Sequence, residues 1–196
     1  MANLAKTYSG QGKYKEAEEL ELKVLDLCKR VLGPEHPHTL TSMNNLAATY
    51  SDLGKYEEAG ELKIQVLNLH NKILGPEHPQ TLISMGNLAV TYLHQAKFEE
   101  AGELHPKLLD LHRKVLGPEH PDALTSIDNL AVTYSDLIKY EEAGELQLKV
   151  LNLCNKILGP EHPQTLISMG NLARTYFDNR KYEEAEELQL KGSQSA

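Results

Sequence analysis

The sequence predicts an all-α solenoid, in which two-helix hairpins repeat every 42 residues. The hexapeptide Leu-Gly-Pro-Glu-His-Pro, first found at residues 32–37, occurs four times at a constant interval of 42 residues. Between these copies, apolar residues recur three and four positions apart, as one face of a helix requires. A fixed period of this length is typical of stacked repeats, each of which packs on its neighbours.

The hexapeptide has the composition of a turn between two helices. Its glycine follows an apolar helical segment, and we expect it to end that helix in the left-handed conformation. The next proline cannot continue a helix, and the second proline suits the first position of a new one. These positions are Gly33, Gly75, Gly117 and Gly159 for the glycine, and Pro37, Pro79, Pro121 and Pro163 for the second proline.

Each repeat therefore predicts a helix A and a helix B. The complete repeats are 37–78, 79–120 and 121–162, whereas 1–36 and 163–191 are incomplete. Helix A is predicted at 37–53, 79–95, 121–137 and 163–179, and helix B at 56–74, 98–116, 140–158 and from 182. We expect residues 1–191 to form a single array, followed by a flexible tail at 192–196.

One B helix contains a proline. Pro106 occupies a position at which the neighbouring repeats have Ile64 and Leu148. A proline there removes the backbone hydrogen bond to the carbonyl of Gly102 and costs about 3 kcal/mol. We expect a kink at Pro106.

Charge and hydropathy exclude several classes of protein. The formal net charge is −8 and no cluster of Lys and Arg is present, so the sequence does not predict a nucleic-acid partner. No apolar segment is long enough to span a membrane. Cys28 and Cys154 occupy equivalent positions three repeats apart, too far for a disulfide, so we expect free thiols in a reducing, cytoplasmic compartment.

The residues that could carry catalysis or bind a metal are distributed one per repeat. Each histidine of the turns lies in a different turn, whereas zinc needs about four ligands that converge. We expect these histidines to satisfy backbone groups at helix ends. A second set of Cys and His residues, on helix B, and the paired glutamates at the start of helix B also occur once per repeat, so neither set converges on one site. We therefore predict no metal, no cofactor and no enzymatic activity. The residues are His36, His78, His120 and His162 in the turns, and Cys28, His70, His112 and Cys154 on helix B.

Residues 45–50 (Asn-Leu-Ala-Ala-Thr-Tyr) and 54–59 (Gly-Lys-Tyr-Glu-Glu-Ala) resemble the tetratricopeptide repeat family. The resemblance covers nearly the whole chain. It implies a right-handed superhelix whose A helices line a concave face, and a role in protein–protein interaction. Because each repeat has 42 residues, the chain is most similar to the long repeats of kinesin light chains and of arrays in nucleotide-switch signalling proteins.

The chain departs from the family pattern at one position of helix B. Where the family often has a large aromatic residue, four positions after the helix-B alanine, this chain has polar residues. We expect the preceding leucines to supply the packing instead. The polar residues are Glu21, Lys63, His105, Gln147 and Gln189, and the leucines are Leu20, Leu62, Leu104, Leu146 and Leu188.

Asparagine recurs once per repeat on helix A, and this column is the main candidate for a binding site. An amide offers a donor and an acceptor, so it can pair with a peptide backbone whatever the side chains of that peptide. A similar ladder in a glycosyltransferase of the family holds an extended peptide. The alternative is that each amide bonds a neighbouring helix and fixes the stacking. The column contains Asn3, Asn45, Asn87, Asn129 and Asn171.

Residues beside the column are expected to select the side chains of a ligand. Residues 31–92 and 115–176 are identical at 51 of 62 aligned positions, and several of the 11 differences lie beside the column. The candidates are small, apolar or acidic more often than basic, unlike a groove for acidic peptides. They are Asn44, Asp128, Val90, Val132 and Arg174, together with Ala48, Gly86 and Gly170.

The sequence thus favours a scaffold that binds a protein or peptide ligand along its helix-A face. Two alternatives remain open. The incomplete repeats at both ends could stack end to end into homo-oligomers. The chain could also be the recognition or spacer part of a larger signalling protein.

Overall fold

The computed structural model describes residues 1–194, which form ten α-helices and no strand. The predicted all-α class is confirmed. Odd-numbered helices are the A helices of the hairpins and even-numbered helices are the B helices. Their bounds are α1 Ala2–Gly10, α2 Tyr14–Val31, α3 Pro37–Asp52, α4 Tyr56–Leu74, α5 Pro79–His94, α6 Phe98–Leu116, α7 Pro121–Asp136, α8 Tyr140–Leu158, α9 Pro163–Asp178 and α10 Tyr182–Gln194.

The chain divides into two compact units. Unit 1 is Met1–Lys97 and contains α1–α5, and unit 2 begins at Phe98 and contains α6–α10. Within each unit, every helix packs against the next helix along the chain. The single array predicted over residues 1–191 remains a prediction.

The apolar face of each hairpin forms the core, as its spacing predicts. In unit 1, Leu46 of α3 and Val66 of α4 pack in one buried cluster with Tyr50 at its margin. In unit 2, Tyr134 and Tyr176 lie at the margins of two corresponding clusters. The leucines that precede the polar helix-B positions pack there too, which confirms their predicted role; they are Leu62, Leu146 and Leu188.

The turns between repeats begin and end helices where the sequence predicts, but the glycine conformation differs. Gly75 has φ 89° and ψ 165°, an extended conformation at positive φ that is essentially restricted to glycine, and not the predicted left-handed helical one. The hydroxyl of the buried Thr81 donates to the Gly75 carbonyl at 2.7 Å. The pairs Thr39–Gly33 and Thr165–Gly159 repeat this hydrogen bond. Ala123 occupies the threonine position after Gly117, yet Gly117 has a similar φ of 93°, so the positive φ does not require the threonine.

The loops from helix A to helix B require a positive φ at one position in each hairpin. Gly54 has φ 73° there, whereas Ile138, 84 residues later, has φ 62°. A β-branched residue is rarely found in this region, because its side chain crowds the backbone. Ile138 is also 74% exposed, so no packing compensates for the strain. The other residues at this position are Gly12, Ala96 and Arg180.

The last helix is longer than predicted. Helix α10 extends through Gln194, so residues 192–194 are helical, and the flexibility expected of residues 192–196 remains a prediction. The hydroxyl of Ser193 donates to the Leu190 carbonyl at 2.9 Å, which adds a hydrogen bond within the last turn. Residues 195–196 of the predicted tail lie outside the described residues.

Helix α6 is continuous from Phe98 to Leu116 although Pro106 lies within it. The kink predicted at Pro106 remains a prediction. No helix within residues 1–194 is both long enough and apolar enough to cross a membrane.

Candidate functional site

The asparagine column lies on the A helices, where its members are exposed or half-buried. Asn45 and Asn87 of unit 1 are exposed, and Asn129 and Asn171 of unit 2 are half-buried. Within residues 1–194, the side chains of these four asparagines make no hydrogen bond. The amide donors and acceptors are therefore available to a ligand.

A polar layer lies directly beneath this column. It consists of the helix-B residues at the family's aromatic position together with the threonines of the following helix A. The Lys63 ammonium donates to the Thr91 hydroxyl at 2.6 Å, and that hydroxyl donates to the backbone carbonyl of Asn87 at 2.9 Å. The Thr91 hydroxyl thus links a helix-B side chain to the backbone of an asparagine in the column. The sequence indicated the polar helix-B residues but not their threonine partners.

His105 is a fully buried member of the polar layer. Its Nδ1 lies 2.7 Å from the hydroxyl of Thr133, which donates to the carbonyl of Asn129 at 3.0 Å. Because the hydroxyl proton is used for that carbonyl, the Nδ1–H of His105 is the donor in the first bond. Its Nε2 is buried and has no partner within residues 1–194. Burial lowers the pKa of His105 to about 4.

Unit 1 contains a cavity of 470 Å³, which the asparagines of the column do not line. Its apolar wall includes Leu40 of α3 and Ile73 and Leu74 at the end of α4. The predicted site residue Asn44 lines the same cavity, as does His70. A volume of this order suits a side chain or a small ligand group.

The equivalent cavity of unit 2 has a volume of 310 Å³. Leu124 of α7 and Ile157 and Leu158 of α8 form its apolar wall, and Glu119 lies at its edge. Asp128, which replaces Asn44 in this unit, is buried with 9% of its surface exposed. Its Oδ1 has no partner within residues 1–194, and burial raises its pKa to about 6.

The remaining predicted site residues lie one helical turn further along. Val90 is exposed on α5 and Val132 is half-buried on α7. Arg174 of α9 lines a cavity of 320 Å³ together with Phe177 and Gln189. Arg174 also lies near Asp136, because its charge opposes the rise that burial causes in the Asp136 pKa.

The histidines of the turns cap the A helices, as predicted. The Nδ1 of His78 accepts a hydrogen bond from the backbone N–H of Gln80 at 3.2 Å. This bond satisfies one of the free N–H groups at the helix start. His36, His120 and His162 cap their helices in the same way.

The second column, on helix B, also has a structural role. The Nδ1 of His70 lies 2.8 Å from the hydroxyl of Ser84, and that of His112 lies 2.7 Å from Ser126. Cys28 and Cys154 are free thiols, as predicted, and contact the serines at the same positions. Among residues 1–194, no three His, Cys, Asp or Glu side chains converge where they could hold a metal ion.

Comparison with known proteins extends over the whole chain. A family model described as tetratricopeptide repeat matches residues 1–63, 44–105, 87–143 and 136–194. A candidate kinesin light chain from Podosopora anserina, with nearly identical TPR-like repeats, has a crystal structure that is 36% identical in sequence, with a TM-score of 0.90. The match covers 99% of this chain and 92% of that chain. No curated protein matches significantly.

Two more distant structures are similar in fold alone. A Rap protein solved in complex with Competence and Sporulation Factor is 14% identical, with a TM-score of 0.72; the match covers 100% of this chain and 52% of that chain. A signal transduction ATPase with a tetratricopeptide repeat sensor, from Pyrococcus horikoshii, is 19% identical, with a TM-score of 0.74; the match covers 99% of this chain and 28% of that chain. The predicted similarity to kinesin light chain repeats and to arrays of signalling ATPases is thus confirmed.

Proposed function

Because this chain belongs to the tetratricopeptide repeat family, we propose that it is a protein-interaction module that binds an extended peptide segment along its helix-A face. The observation that carries the proposal is the set of open, unbonded amides in the asparagine column. In unit 1, Asn45 and Asn87 would each pair with the backbone of the peptide. In unit 2, Asn129 and Asn171 would do the same.

The polar layer supports this role by fixing the helix backbone behind the amides. The Thr91 hydroxyl bonds the carbonyl of Asn87, and the Thr133 hydroxyl bonds the carbonyl of Asn129. The backbone of each asparagine is thereby held, while its amide stays free. A binding group positioned before the ligand arrives loses less entropy on binding.

The residues that surround the column would select particular side chains of the peptide. Val90 and Val132 offer apolar contacts, and the 470 Å³ cavity that Asn44 lines is large enough to hold a side chain. Arg174 and Asp128 place opposite charges at different positions of unit 2. The complex of the Rap protein with Competence and Sporulation Factor supports the view that this fold can hold a partner.

The proposal is tested by selection from a displayed random-peptide library. The unmodified chain is compared with a variant that carries Ala at Asn45, Asn87, Asn129 and Asn171. The matched control carries Ala at Asn68 and Asn152, which are exposed asparagines on B helices. We expect a consensus peptide with the unmodified and control chains and none with the fourfold variant, at equal helicity by circular dichroism. Equal enrichment by all three chains would remove the column from the binding site.

A further inference from the structure

We propose that this chain self-associates head to tail, with helix α10 of one copy packing against helix α1 of a second copy. The contact would continue the packing of each helix B on the next helix A, which recurs within each unit. It is independent of the proposed peptide site, because none of the four asparagines assigned to the peptide lies on α1 or α10.

Helix α1 exposes a face that the other A helices bury. Leu4 is 47% exposed, whereas its equivalent on α3, Leu46, is 1% exposed. Leu46 packs in one cluster with Leu25 of the preceding helix B. Thr7 is exposed as well, whereas the equivalent Thr49 is buried. Leu4 and Thr7 therefore mark a face of α1 that has the form of a surface for a helix B and is open within residues 1–194.

Helix α10 presents the matching face. Gln189 is exposed there, whereas the equivalent Gln147 is buried. At this position of α4, the Lys63 ammonium donates to the hydroxyl of Thr91 on the next helix A at 2.6 Å. The same packing would bring Gln189 to Thr7 of the second copy. An amide and a hydroxyl each donate and accept, so the two side chains can pair.

An ion pair accompanies this packing at the loop that follows helix A. In unit 1, the Lys55 ammonium lies 2.7 Å from a carboxylate oxygen of Glu18 on the preceding helix B. In unit 2, the Lys181 ammonium lies 2.8 Å from a carboxylate oxygen of Glu141 on the preceding helix B. Both ammonium groups also lie over a tyrosine ring of their own helix A. The loop lysine thus joins each of these A helices to the helix B before it.

The open faces of α1 and α10 carry the same charges without such a pair. Lys13 follows α1 and lies over a tyrosine ring, as the other two loop lysines do. On α10, Glu186 and Glu183 occupy the positions of Glu18 and Glu141. Within residues 1–194, Lys13 and the two α10 glutamates form no ion pair. Packing of α10 on α1 of a second copy would place both carboxylates near the Lys13 ammonium, which makes the two faces complementary in charge.

Charge reversal on either face tests the contact. Sedimentation equilibrium over a series of concentrations compares the unmodified chain, K13E and the double variant E183K/E186K, separately and as an equimolar mixture of the variants. The matched control is K139E, because Lys139 is the exposed loop lysine at the equivalent position of unit 2. Circular dichroism confirms that each variant is folded.

We expect the average mass of the unmodified chain to rise with concentration past that of a dimer, because the contact joins two different faces and leaves one of each open. Each reversed variant alone should associate about tenfold more weakly, and the mixture should recover association because it restores opposite charges. K139E should behave as the unmodified chain does.

Three results would overturn the proposal. The first is a monomer mass for the unmodified chain up to about 1 mM. The second is association that neither reversal weakens, or that K139E weakens equally. The third is a loss of association that the mixture does not recover. Peptide selection by the asparagine column is measured separately, so a failure here leaves the proposed function intact.

Discussion

His105 and Asp128 make opposite contributions to the pH dependence of stability. Replacing either residue should therefore make the contribution of the other one measurable. Both lie in unit 2, His105 on α6 and Asp128 on α7, and both are buried with one unpartnered side-chain atom. The pKa of His105 is lowered from 6.5 to about 4, and that of Asp128 is raised from 3.8 to about 6. In each case burial disfavours the charged form.

The signs follow from linkage between protonation and folding. The folded state favours neutral His105. Its contribution to the free energy of unfolding is therefore complete above pH 6.5 and is lost as the pH falls towards 4. The folded state also favours protonated Asp128, so its contribution is present below pH 3.8 and is lost as the pH rises through 6. At about 1.4 kcal/mol per pH unit, each shift corresponds to about 3 kcal/mol. Between pH 4 and 6.5 the two effects cancel in the unmodified chain.

Two substitutions separate the effects, and the repeats supply both replacement residues. H105Q introduces the residue found at Gln147, and D128N introduces the residue found at Asn44. Relative to the unmodified chain, H105Q should be about 3 kcal/mol more stable at pH 4 and equally stable at pH 7. D128N should be about 3 kcal/mol more stable at pH 7, with a gain below about 1 kcal/mol at pH 4.

The assay is urea unfolding followed by circular dichroism at pH 4, 5, 6 and 7 for the three chains. Only differences between chains are compared, so that ionisable groups common to all of them cancel. The reasoning is refuted if the two variants show the same pH dependence as the unmodified chain. A gain for H105Q that grows with pH would show that the sign is wrong.

Three further predictions concern other parts of the fold, and the free energy of urea unfolding tests each of them. Ile138→Gly should stabilise the chain by about 1 kcal/mol, because glycine adopts a positive φ without strain. Gly54→Ile should destabilise it by a similar amount, and a change of the same sign in both variants would contradict the assigned strain. Ala123→Thr should stabilise by about 1 kcal/mol by restoring a hydroxyl bond to the Gly117 carbonyl, and no gain would show that the threonine has no room there. His78→Ala should cost about 1 kcal/mol as a lost helix cap, whereas His78→Asn should retain most of the stability.

The helices were predictable because each is bounded by residues with strong local preferences. The Gly-Pro pair ends helix B, and the second proline begins helix A at Pro37 and its equivalents. Each of these signals acts within a few residues, so no long-range contact is needed to interpret it. The hydrogen bond from the Thr81 hydroxyl to the Gly75 carbonyl was not predictable, because it joins a turn to a buried side chain in the next helix.

The sequence predicted which residues belong to the candidate site, but not how far each of them is buried. Periodicity placed Asn45 and Asn87 on one helix face, where both are exposed. Periodicity does not reveal that Asp128 is buried while the equivalent Asn44 lines an open cavity. That difference depends on the packing of α7 against its neighbours, and single-sequence patterns do not contain such packing.

The threonines of the polar layer give the helix-B position opposite them an unusual freedom to change. A hydroxyl both donates and accepts, so the same threonine position serves a carboxylate at Glu21, an ammonium at Lys63 and an imidazole at His105. A single codon change there can reverse the local charge without removing the hydrogen bond. The electrostatics behind the asparagine column can therefore evolve, or be engineered, one repeat at a time on an unchanged scaffold.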